Sequence, residues 1–173
     1  SIEDACALAI YSPAGIVVHT GDFKVDYTPV FGGAIDLQRF GEIGKKGVLA
    51  LMSDSTNAER EGFTHSEKKV GKRFDAIFAE HPNQRIIVAT FASNIYRIQQ
   101  IVDACVACNR KIAVFGRSME KAIEVGQQIG YITPPKGTII ETGEINKYKP
   151  EELCFLCTGS QGEPLAALSR VAN

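Results

Sequence analysis

Five short segments of this sequence combine hydroxyl groups, glycines or charged side chains, and each directly follows an apolar run. They are residues 20–24, 53–57, 90–94, 116–118 and 158–162. Hydroxyls together with the free N–H groups at the start of a helix suit the binding of phosphate. Carboxylates repel phosphate unless a cation lies between them, so a site with both features favours metal-assisted phosphodiester chemistry.

The phosphate-binding groups would come from Ser93, from Ser118 and from the loop at residues 158–162, and the carboxylates from Asp22 and Asp54. Arg117 can add a clamp, because a guanidinium holds phosphate through two parallel N–H groups. A purely structural interpretation exists for each residue type: serines cap helices, aspartates form Asx turns and glycines make tight turns. The loop at 158–162 also lacks the spacing of a P-loop.

The histidines and the clustered basic residues give weaker signals. His19 lies beside Val18 inside a predicted strand, so we expect a packed histidine rather than a ligand. His65 and His81 flank a predicted surface helix and should be solvated. The basic residues of that helix, at positions 68, 69, 72 and 73, form either a solvated face or a track for an RNA backbone.

Two C-x-x-C pairs, Cys105/Cys108 and Cys154/Cys157, suggest a zinc site with four thiolate ligands. Such pairs normally lie on tight polar turns, whereas the second pair here is embedded in an apolar strand. Positions three apart in a strand point to opposite faces, so these two thiols cannot close on one metal without a bend. Free, buried thiols of a cytosolic protein are the favoured interpretation.

Short apolar runs alternate with segments of helical period, which is typical of an α/β fold with parallel strands joined by crossover helices. The predicted strands are residues 5–11, 15–19, 48–52, 85–89, 112–115, 138–140 and 153–156. Helices are predicted at residues 64–81, after a capping box, at 93–105 with Ser93 as cap, at 119–129 with Ser118 as cap, and after residue 164. Continuous apolar runs in the central strands favour a sheet covered on both faces, with ligands bound at the carboxyl ends of its strands.

The composition is that of a globular protein, with 173 residues, 45% hydrophobic residues and a formal net charge of −1. It excludes a disordered tail, a collagen and a disulfide miniprotein, and no apolar run approaches the length of a membrane span. The near-neutral charge means that nucleic-acid binding would need a local patch. A buried strand so close to Ser1 leads us to expect an excerpt of a longer protein.

Four segments, taken in order along the chain, resemble a known family. Residues 17–24 (VVHTGDFK) are similar to a metal-ligand segment of metallo-β-lactamase-fold nucleases. Residues 51–58 (LMSDSTNA), 90–99 (TFASN, then RIQ) and 158–164 (TGSQGEP) are similar to the β-CASP subgroup. Together they closely resemble bacterial ribonuclease J, a family of metal-dependent nucleases.

The resemblance implies a Rossmann-like parallel sheet with helices on both faces, the β-CASP domain, at residues 48–173 and incomplete at its C-terminus. Residues 1–47 would be a remnant of the metallo-β-lactamase αββα domain, with unpaired strand edges and exposed apolar surface. The implied activity is 5′-to-3′ exonuclease and endonuclease cleavage in RNA maturation and decay, including rRNA processing, in the cytoplasm. The implied partners are single-stranded RNA with a 5′-monophosphate, the rest of the metallo-β-lactamase domain and a second copy of the parent protein, with no membrane.

The resemblance also assigns roles to individual residues. Asp22 matches an aspartate that bridges two zinc ions, and Asp54 matches the acidic residue that opens the β-CASP module; both are catalytic candidates. The substrate-binding candidates in segments that line the RNA path and a phosphate pocket are Ser93, Asn94, Ser160 and Gln161, and Arg117 joins them as the phosphate clamp described above.

This sequence lacks the family's His-x-His-x-Asp-His cluster, and further metal-binding histidines would fall before Ser1 and beyond Asn173. Zinc needs three or four protein ligands, so we expect this chain alone to hold no zinc and to be inactive. An alternative is a self-contained Rossmann-like module that binds a nucleotide or phosphate, and a third is the thiol-ligated zinc domain. The nuclease hypothesis requires Asp22, Asp54, Ser93 and Ser160 to converge at one rim of a parallel sheet.

Overall fold

The structure is a computed structural model that describes residues 5–30, 32–159 and 168. The chain divides between Lys68 and Lys69 into two compact units. All seven predicted strands are present, with ends that differ from the predictions by three residues or fewer. The predicted helix after residue 164 lies outside the described residues, apart from Leu168, which is helical.

The N-terminal unit contains a three-stranded sheet and one helix. Its elements are β1 (Leu8–Ser12), β2 (Gly15–His19), α1 (Leu37–Lys45) and β3 (Ala50–Met52). The strands β1 and β2 form an antiparallel hairpin, in which the Ser12 hydroxyl donates to the carbonyl of Gly15 at 2.9 Å. β3 lies parallel to β2 on the other side, so the strand order is β1-β2-β3.

The position of β3 corrects one expectation from the sequence. Residues 48–52 were predicted to begin the Rossmann-like sheet, but β3 instead pairs with β2, with Leu51 opposite Val18. The Leu49 N–H donates to Ile16 O at 2.8 Å and so aligns the two strands. Leu51 and Met52 are more than half exposed, which shows that the apolar run in β3 is not covered on both faces.

Exposed apolar side chains mark the three-stranded sheet, as the resemblance implies for residues 1–47, and the buried strand predicted from the apolar run at residues 5–11 is wrong because β1 is largely exposed. Leu8 lies opposite His19, which lies opposite Met52, so these residues share one face. Leu8, Ile10 and Met52 on that face each expose more than half of their surface. Contiguous apolar surface of this kind is typical of a face that packs against other protein.

The C-terminal unit is built on a four-stranded sheet in which every neighbouring pair is parallel, in the order β4-β7-β5-β6. Its strands are β4 (Ile86–Ala89), β5 (Lys111–Phe115), β6 (Ile139–Ile140) and β7 (Leu153–Cys157). Its helices are α2 (Glu67–Glu80), which begins two residues before the division, α3 (Ile95–Ala107), α4 (Arg117–Gln128) and two 3₁₀ helices, Thr142–Lys147 and Pro150–Glu152. A parallel sheet flanked by helices confirms the predicted fold class.

The two faces of this sheet bury different clusters, because successive side chains of a strand alternate. On one face, Ile112 and Val114 of β5 pack with side chains of all three α-helices, including Phe78, Ile101 and Met119. On the other face, Ala113 and Phe155 pack with Ile145 of the 3₁₀ helix Thr142–Lys147. β7 lies between β4 and β5 and is buried along its whole length, as its continuous apolar sequence predicts.

The predicted boundary between the family domains, at residues 47 and 48, stays a prediction. The division into compact units lies about twenty residues later, since β3 and the segment that follows it belong to the N-terminal unit. None of the helices in the described ranges is both long enough and apolar enough to cross a membrane.

Arg110 is a charged residue inside the C-terminal unit, with only 4% of its surface exposed. Its guanidinium donates to the carbonyls of His81 and Gln84 at 2.7 Å, and to those of Pro82 and Leu153 at 3.3 Å. It also lies 5.6 Å from the ring centre of Phe78. One side chain therefore ties the turn after α2 to the start of β7, and only the planar fork of arginine reaches all four acceptors.

We predict that Arg110→Met destabilises the chain by about 3 kcal/mol, because four carbonyls lose a charged donor. Denaturation by urea, followed by circular dichroism, measures this loss. Arg85→Met is the matched control: Arg85 is exposed and its guanidinium stacks on Phe155 at 4.7 Å, so its loss should cost less than about 1 kcal/mol. Equal losses in the two variants would contradict the role assigned to Arg110.

Candidate functional site

The parallel pairing of β2 and β3 brings two polar loops together at one end of the three-stranded sheet. His19 and Met52 are paired residues at the ends of the two strands, and the Thr20 N–H donates to Met52 O at 3.0 Å. Beyond this point the chain continues into Asp22 on one side and Asp54 on the other. Both aspartates line an open pocket of about 240 Å³ together with His19, Gly21, Met52 and Ser53.

Thr20 joins the two loops through its buried hydroxyl. The Asp54 N–H donates to Thr20 Oγ1 at 3.0 Å, and the same hydroxyl donates to Gly21 O at 2.8 Å. Thr20 is 8% exposed, and the sequence analysis gave it no role. Its position directly after His19 carries no signal by itself, since the contact depends on a strand thirty residues away.

Asp54 forms the Asx turn that was one of its two interpretations. Its Oδ1 accepts from the Thr56 N–H at 3.0 Å and from the Thr56 hydroxyl at 2.7 Å. These bonds, with a further one from the Phe23 N–H, lower the pKa of the Asp54 carboxyl. The ionised carboxylate of Asp54 therefore orders its own loop, and the Asp54 N–H joins this loop to Thr20, next to the loop of Asp22.

Asp22 has a different environment from Asp54. It is exposed, and within the described ranges its carboxylate makes neither a hydrogen bond nor an ion pair. Both oxygens are thus available to a cation or to a substrate proton, whereas Oδ1 of Asp54 is engaged by Thr56. A carboxylate that the protein leaves unpaired at the end of a parallel strand is well placed for chemistry.

His19 is exposed at this pocket and is not the packed histidine that we expected. Alternation along β2 explains the error, because Val18 points into the interior at 3% exposure and its neighbour must point outward. The Gly21 N–H donates to His19 Nδ1 at 3.0 Å, which leaves Nε2 directed away from the backbone. His19 can therefore offer a second polar group beside Asp22.

The described residues do not by themselves fit a zinc centre. A zinc ion takes three or four protein ligands, and a dinuclear centre takes more. Among residues 5–30, 32–159 and 168, no three His, Cys, Asp or Glu side chains are grouped so as to hold a metal ion. Asp22 offers one free carboxylate and His19 one ring nitrogen, so this part of the chain can contribute ligands but not a complete set.

A second polar edge lies at the carboxyl ends of β4, β7 and β5 in the C-terminal unit. Ala89 and Phe115 both pair with Cys157, so the three strands end at the same level. Thr90, Thr158 and Gly116 follow directly, and the Thr90 N–H donates to Cys157 O at 3.0 Å. Thr90 Oγ1 is buried and has no hydrogen-bond partner among the described residues.

Two predicted caps at this edge are wrong in detail. Asn94, not Ser93, caps α3, because its side chain accepts from the Arg97 N–H at 3.2 Å while Ser93 stays exposed. Gly116, not Ser118, precedes α4, and its φ of +103° lets the chain turn from β5 directly into the helix. Similarly, α2 begins at Glu67, where the Lys68 N–H donates to Ser66 Oγ at 3.2 Å, rather than at the predicted Thr64.

The candidate substrate-binding residues therefore differ in availability. Ser93 and Arg117 are exposed, and Arg117 makes no ion pair or hydrogen bond within the described ranges. Asn94 is 7% exposed and its side chain is occupied by the cap. Ser160 and Gln161 lie outside the described residues. The roles of all five residues in binding stay predictions.

The nuclease hypothesis expects Asp22, Asp54, Ser93 and Ser160 at one rim of one parallel sheet. For the described residues among them this expectation is wrong, because they follow strands of two different sheets. Asp22 and Asp54 follow strands of the three-stranded sheet, whereas Ser93, Asn94 and Arg117 follow strands of the four-stranded sheet. The reason is the pairing of β3 with β2, which places Asp54 in the N-terminal unit. Each sheet nevertheless gathers its own candidates at the carboxyl ends of parallel strands.

The cysteines confirm the expectation of buried thiols for three residues out of five: Cys105, Cys154 and Cys157 are buried, whereas Cys6 and Cys108 are exposed. The hydrogen bond with Cys154, together with burial, raises the pKa of the Cys105 thiol, and burial also raises that of Cys157. Cys154 packs on the helical face of the sheet, and Cys157, three residues later, lies on the opposite side, as alternation predicts.

The histidines beside α2 and its basic residues are exposed, as predicted. His65 stacks edge-on with Phe63 at 5.1 Å between ring centres, and Arg73 lies 3.6 Å from Glu80. Whether the basic residues of α2 follow an RNA backbone stays a prediction.

The fold and the two polar strand-end loops define an α/β protein with an open parallel sheet, the class in which the β-CASP domains fall. The family described as "Ribonuclease J, beta-CASP domain" matches residues 83–173, more than half of the chain. The chain therefore belongs to the ribonuclease J family, which confirms the resemblance seen in its sequence.

Curated relatives align with the whole chain. It is 54% identical to Ribonuclease J 1 of Streptococcus pyogenes, 47% identical to Ribonuclease J of Helicobacter pylori and 43% identical to Ribonuclease J2 of Bacillus subtilis. The chain covers 30%, 25% and 31% of these proteins, respectively, so it spans about a quarter to a third of their length. Ribonucleases are hydrolases, and the names of the relatives place the family in that class.

A solved structure shows the same fold at low sequence similarity. A protein of unknown function from Enterococcus faecalis V583 superimposes with a TM-score of 0.57 over 90% of this chain and 38% of that protein, at 15% identity. A likeness at this level concerns the fold alone.

We predict that Thr56→Val raises the pKa of Asp54 toward its ordinary value, because the largest stabilising bond to the ionised carboxylate is lost. Titration of the carboxyl carbon by NMR measures the change. The folded state holds Asp54 ionised, so its contribution to stability is present above the ordinary pKa and disappears as the pH falls through the lowered one. Thr64→Val, at an exposed residue of the same unit, should leave the Asp54 titration unchanged.

Proposed function

We propose that this chain is part of a metal-dependent ribonuclease, in which Asp22 belongs to the cleavage site and the polar edge of the four-stranded sheet binds RNA. The observation that carries this proposal is the carboxylate of Asp22, which is exposed in a pocket beside His19 and Asp54 and has no partner within the described part of the chain. Membership of the ribonuclease J family supports it, because a carboxylate able to bind a cation is a requirement of metal-assisted phosphodiester hydrolysis.

The proposed reaction is hydrolysis of a phosphodiester bond of RNA, by 5′-to-3′ exonuclease and endonuclease cleavage, in cytoplasmic RNA maturation and decay. When bound, zinc would supply an activated water and neutralise charge at the phosphate. Asp22 would contribute one ligand to this zinc centre, and residues outside the described ranges would contribute the others. The full-length relatives have room for them, since they are three to four times longer than this chain.

The residues of this chain have separate tasks in the proposal. Thr20 and Asp54 hold the two loops of the pocket against each other, so that Asp22 keeps one position. Ser93 and Arg117, exposed after β4 and β5, bind phosphates of single-stranded RNA that carries a 5′-monophosphate. Asn94, Ser160 and Gln161 would complete that edge.

The exposed apolar face of the three-stranded sheet has a place in the same proposal. Leu8, Ile10 and Met52 would pack against the remainder of the metallo-β-lactamase domain, and the parent protein would form homo-oligomers. Burial of these side chains in the full-length protein removes apolar surface from water, at roughly 25 cal/mol for each Å².

We predict that Asp22→Asn in the full-length protein lowers the rate of RNA cleavage at least about a hundredfold, because an amide cannot replace a carboxylate at a cation. The measurement is the turnover of a 5′-monophosphorylated single-stranded RNA. Asp36→Asn is the matched control: Asp36 caps α1 by accepting from the Arg39 N–H at 2.9 Å, and asparagine caps equally well. Full activity of Asp22→Asn would refute the proposed role of Asp22.

We predict that residues 1–173 expressed alone show negligible ribonuclease activity and retain less than one zinc ion per chain after gel filtration. The reason is the ligand count, since the described residues offer too few donors for a zinc centre. Elemental analysis of the purified chain and the same RNA assay measure the two quantities. Two tightly held zinc ions per chain would contradict the prediction.

A further inference from the structure

We infer that Lys24 and Asp26 are positioning residues that hold the loop of Asp22 against the start of α2. The inference rests on the proposed function, because it gives these residues a task only if Asp22 acts in RNA cleavage. It concerns contacts within the N-terminal unit, between residues 24–28 and residues 65–67, which are about forty positions apart in the sequence.

We call the contacts between residues 24–28 and residues 65–67 the anchor, and Lys24 makes the first of them. Its Nζ donates to the carbonyl of His65 at 2.6 Å and to Glu67 Oε1 at 3.2 Å. The side chains of Lys24 and Glu67 are 25% and 17% exposed, so the pair is largely shielded from solvent. A shielded, charge-assisted bond is stronger than an exposed one.

Asp26 makes the second contact. Its Oδ2 accepts from the Glu67 N–H, the first N–H of α2, at 3.2 Å, and its Oδ1 accepts from the Thr28 N–H at 3.0 Å. Helix N-termini favour a negative charge, and these N–H groups otherwise lack a partner within the helix. The hydrogen bond from Thr28 is the largest cause that lowers the pKa of Asp26.

Two hydroxyls close the anchor. Thr28 Oγ1 and Ser66 Oγ are 3.0 Å apart, and Ser66 Oγ also donates to the carbonyl of Thr28 at 3.0 Å. Lys24, Asp26 and Thr28 thus contact three consecutive residues, 65 to 67. This set of contacts fixes a loop that has no regular secondary structure between β2 and α1.

Asp22 lies between the anchor and the contact that joins Thr20 to Asp54. On its N-terminal side, the Thr20 hydroxyl accepts from the Asp54 N–H at 3.0 Å. Asp22 itself makes no such bond within the part of the chain that the structure describes. Its position therefore depends on the bonds of its neighbours, and Lys24 lies only two residues away.

Direct binding of RNA is the competing explanation for a lysine so close to Asp22. The geometry favours positioning, because Nζ is already directed at two acceptors of the protein and the side chain is three-quarters covered. The two explanations differ in kinetics: a phosphate contact lowers affinity for RNA when removed, whereas a misplaced Asp22 slows the chemical step.

The experiment compares Lys24→Met, Lys24→Arg and Asp26→Asn in the full-length protein, with steady-state cleavage of a 5′-monophosphorylated RNA. We expect Lys24→Met to lower kcat at least about tenfold with KM unchanged, since small displacements at a reacting group cost that much or more. Lys24→Arg should recover most of kcat, because its guanidinium also offers donors to His65 O and Glu67. Asp26→Asn loses the acceptor for the Glu67 N–H and should lower kcat in the same direction.

Lys121→Met is the matched control. Lys121 forms an ion pair with Glu124 at 2.9 Å on the exposed surface of α4, and its loss should leave kcat and KM unchanged. Hydrogen exchange of the amides at residues 22–28 gives a readout other than activity: it should become faster in Lys24→Met and Asp26→Asn but not in Lys121→Met. Thermal unfolding identifies any variant that fails to fold. If Lys24→Met does not fold, the kcat of Asp26→Asn tests the inference in its place.

Three results would overturn the inference: an unchanged kcat in Lys24→Met and Asp26→Asn, a raised KM with unchanged kcat, or a folded Lys24→Arg as slow as Lys24→Met. The second result would mean that Lys24 contacts RNA. Failure of the proposed function has a separate signature, namely full activity of Asp22→Asn. If Asp22→Asn is inactive and the Lys24 and Asp26 variants are not impaired, only the positioning role is refuted.

Discussion

Parallel strand pairing with strand ends at equal height is the constraint on which both candidate regions depend. In the N-terminal unit, the pairing of His19 with Met52 brings the loops of Asp22 and Asp54 side by side. In the C-terminal unit, the pairing of Ala89 and Phe115 with Cys157 does the same for the segments after β4, β7 and β5. Backbone hydrogen bonds between strands thus set the distances between side chains that are far apart in the sequence.

Several polar residues at these strand ends stabilise the structure and also shape the candidate site. The Asp54 carboxylate accepts bonds from Thr56 of its own loop, Asn94 caps α3, and the Thr20 hydroxyl accepts from the Asp54 N–H while it donates to Gly21 O. Their bonds are satisfied within the protein, so they order the loops around them. Asp22 and Arg117 stay available for a ligand, because no other residue in the described part of the chain pairs with them.

Family membership and structure carry different parts of the functional argument. The fold is shared with a protein that is only 15% identical, and a fold of this kind supports many activities. The proposal of ribonuclease chemistry comes from the relatives, which are named ribonucleases and align with every part of this chain at identities of 40 to 54%. The structure adds that, among the residues it describes, Asp22 is unpaired while Asp54 is engaged by Thr56, and that Lys24 and Asp26 contact the start of α2.

The sequence by itself determined the elements of this protein and the family to which it belongs. Seven strands and three helices follow from hydrophobic period and local turn residues. The motifs around Asp22, Asp54, Ser93 and residue 158 identify the family. Both the hydrophobic period and the motifs are local features of the sequence, so neither depends on the fold. Tertiary structure alone decided that β3 joins β2, that His19 faces the pocket, and that Asn94 caps α3 in place of Ser93. It also decided that Lys24 and Asp26 reach the start of α2. These outcomes depend on partners thirty to forty residues away or on a choice between adjacent polar residues, and the energy of such contacts exists only once the chain has folded.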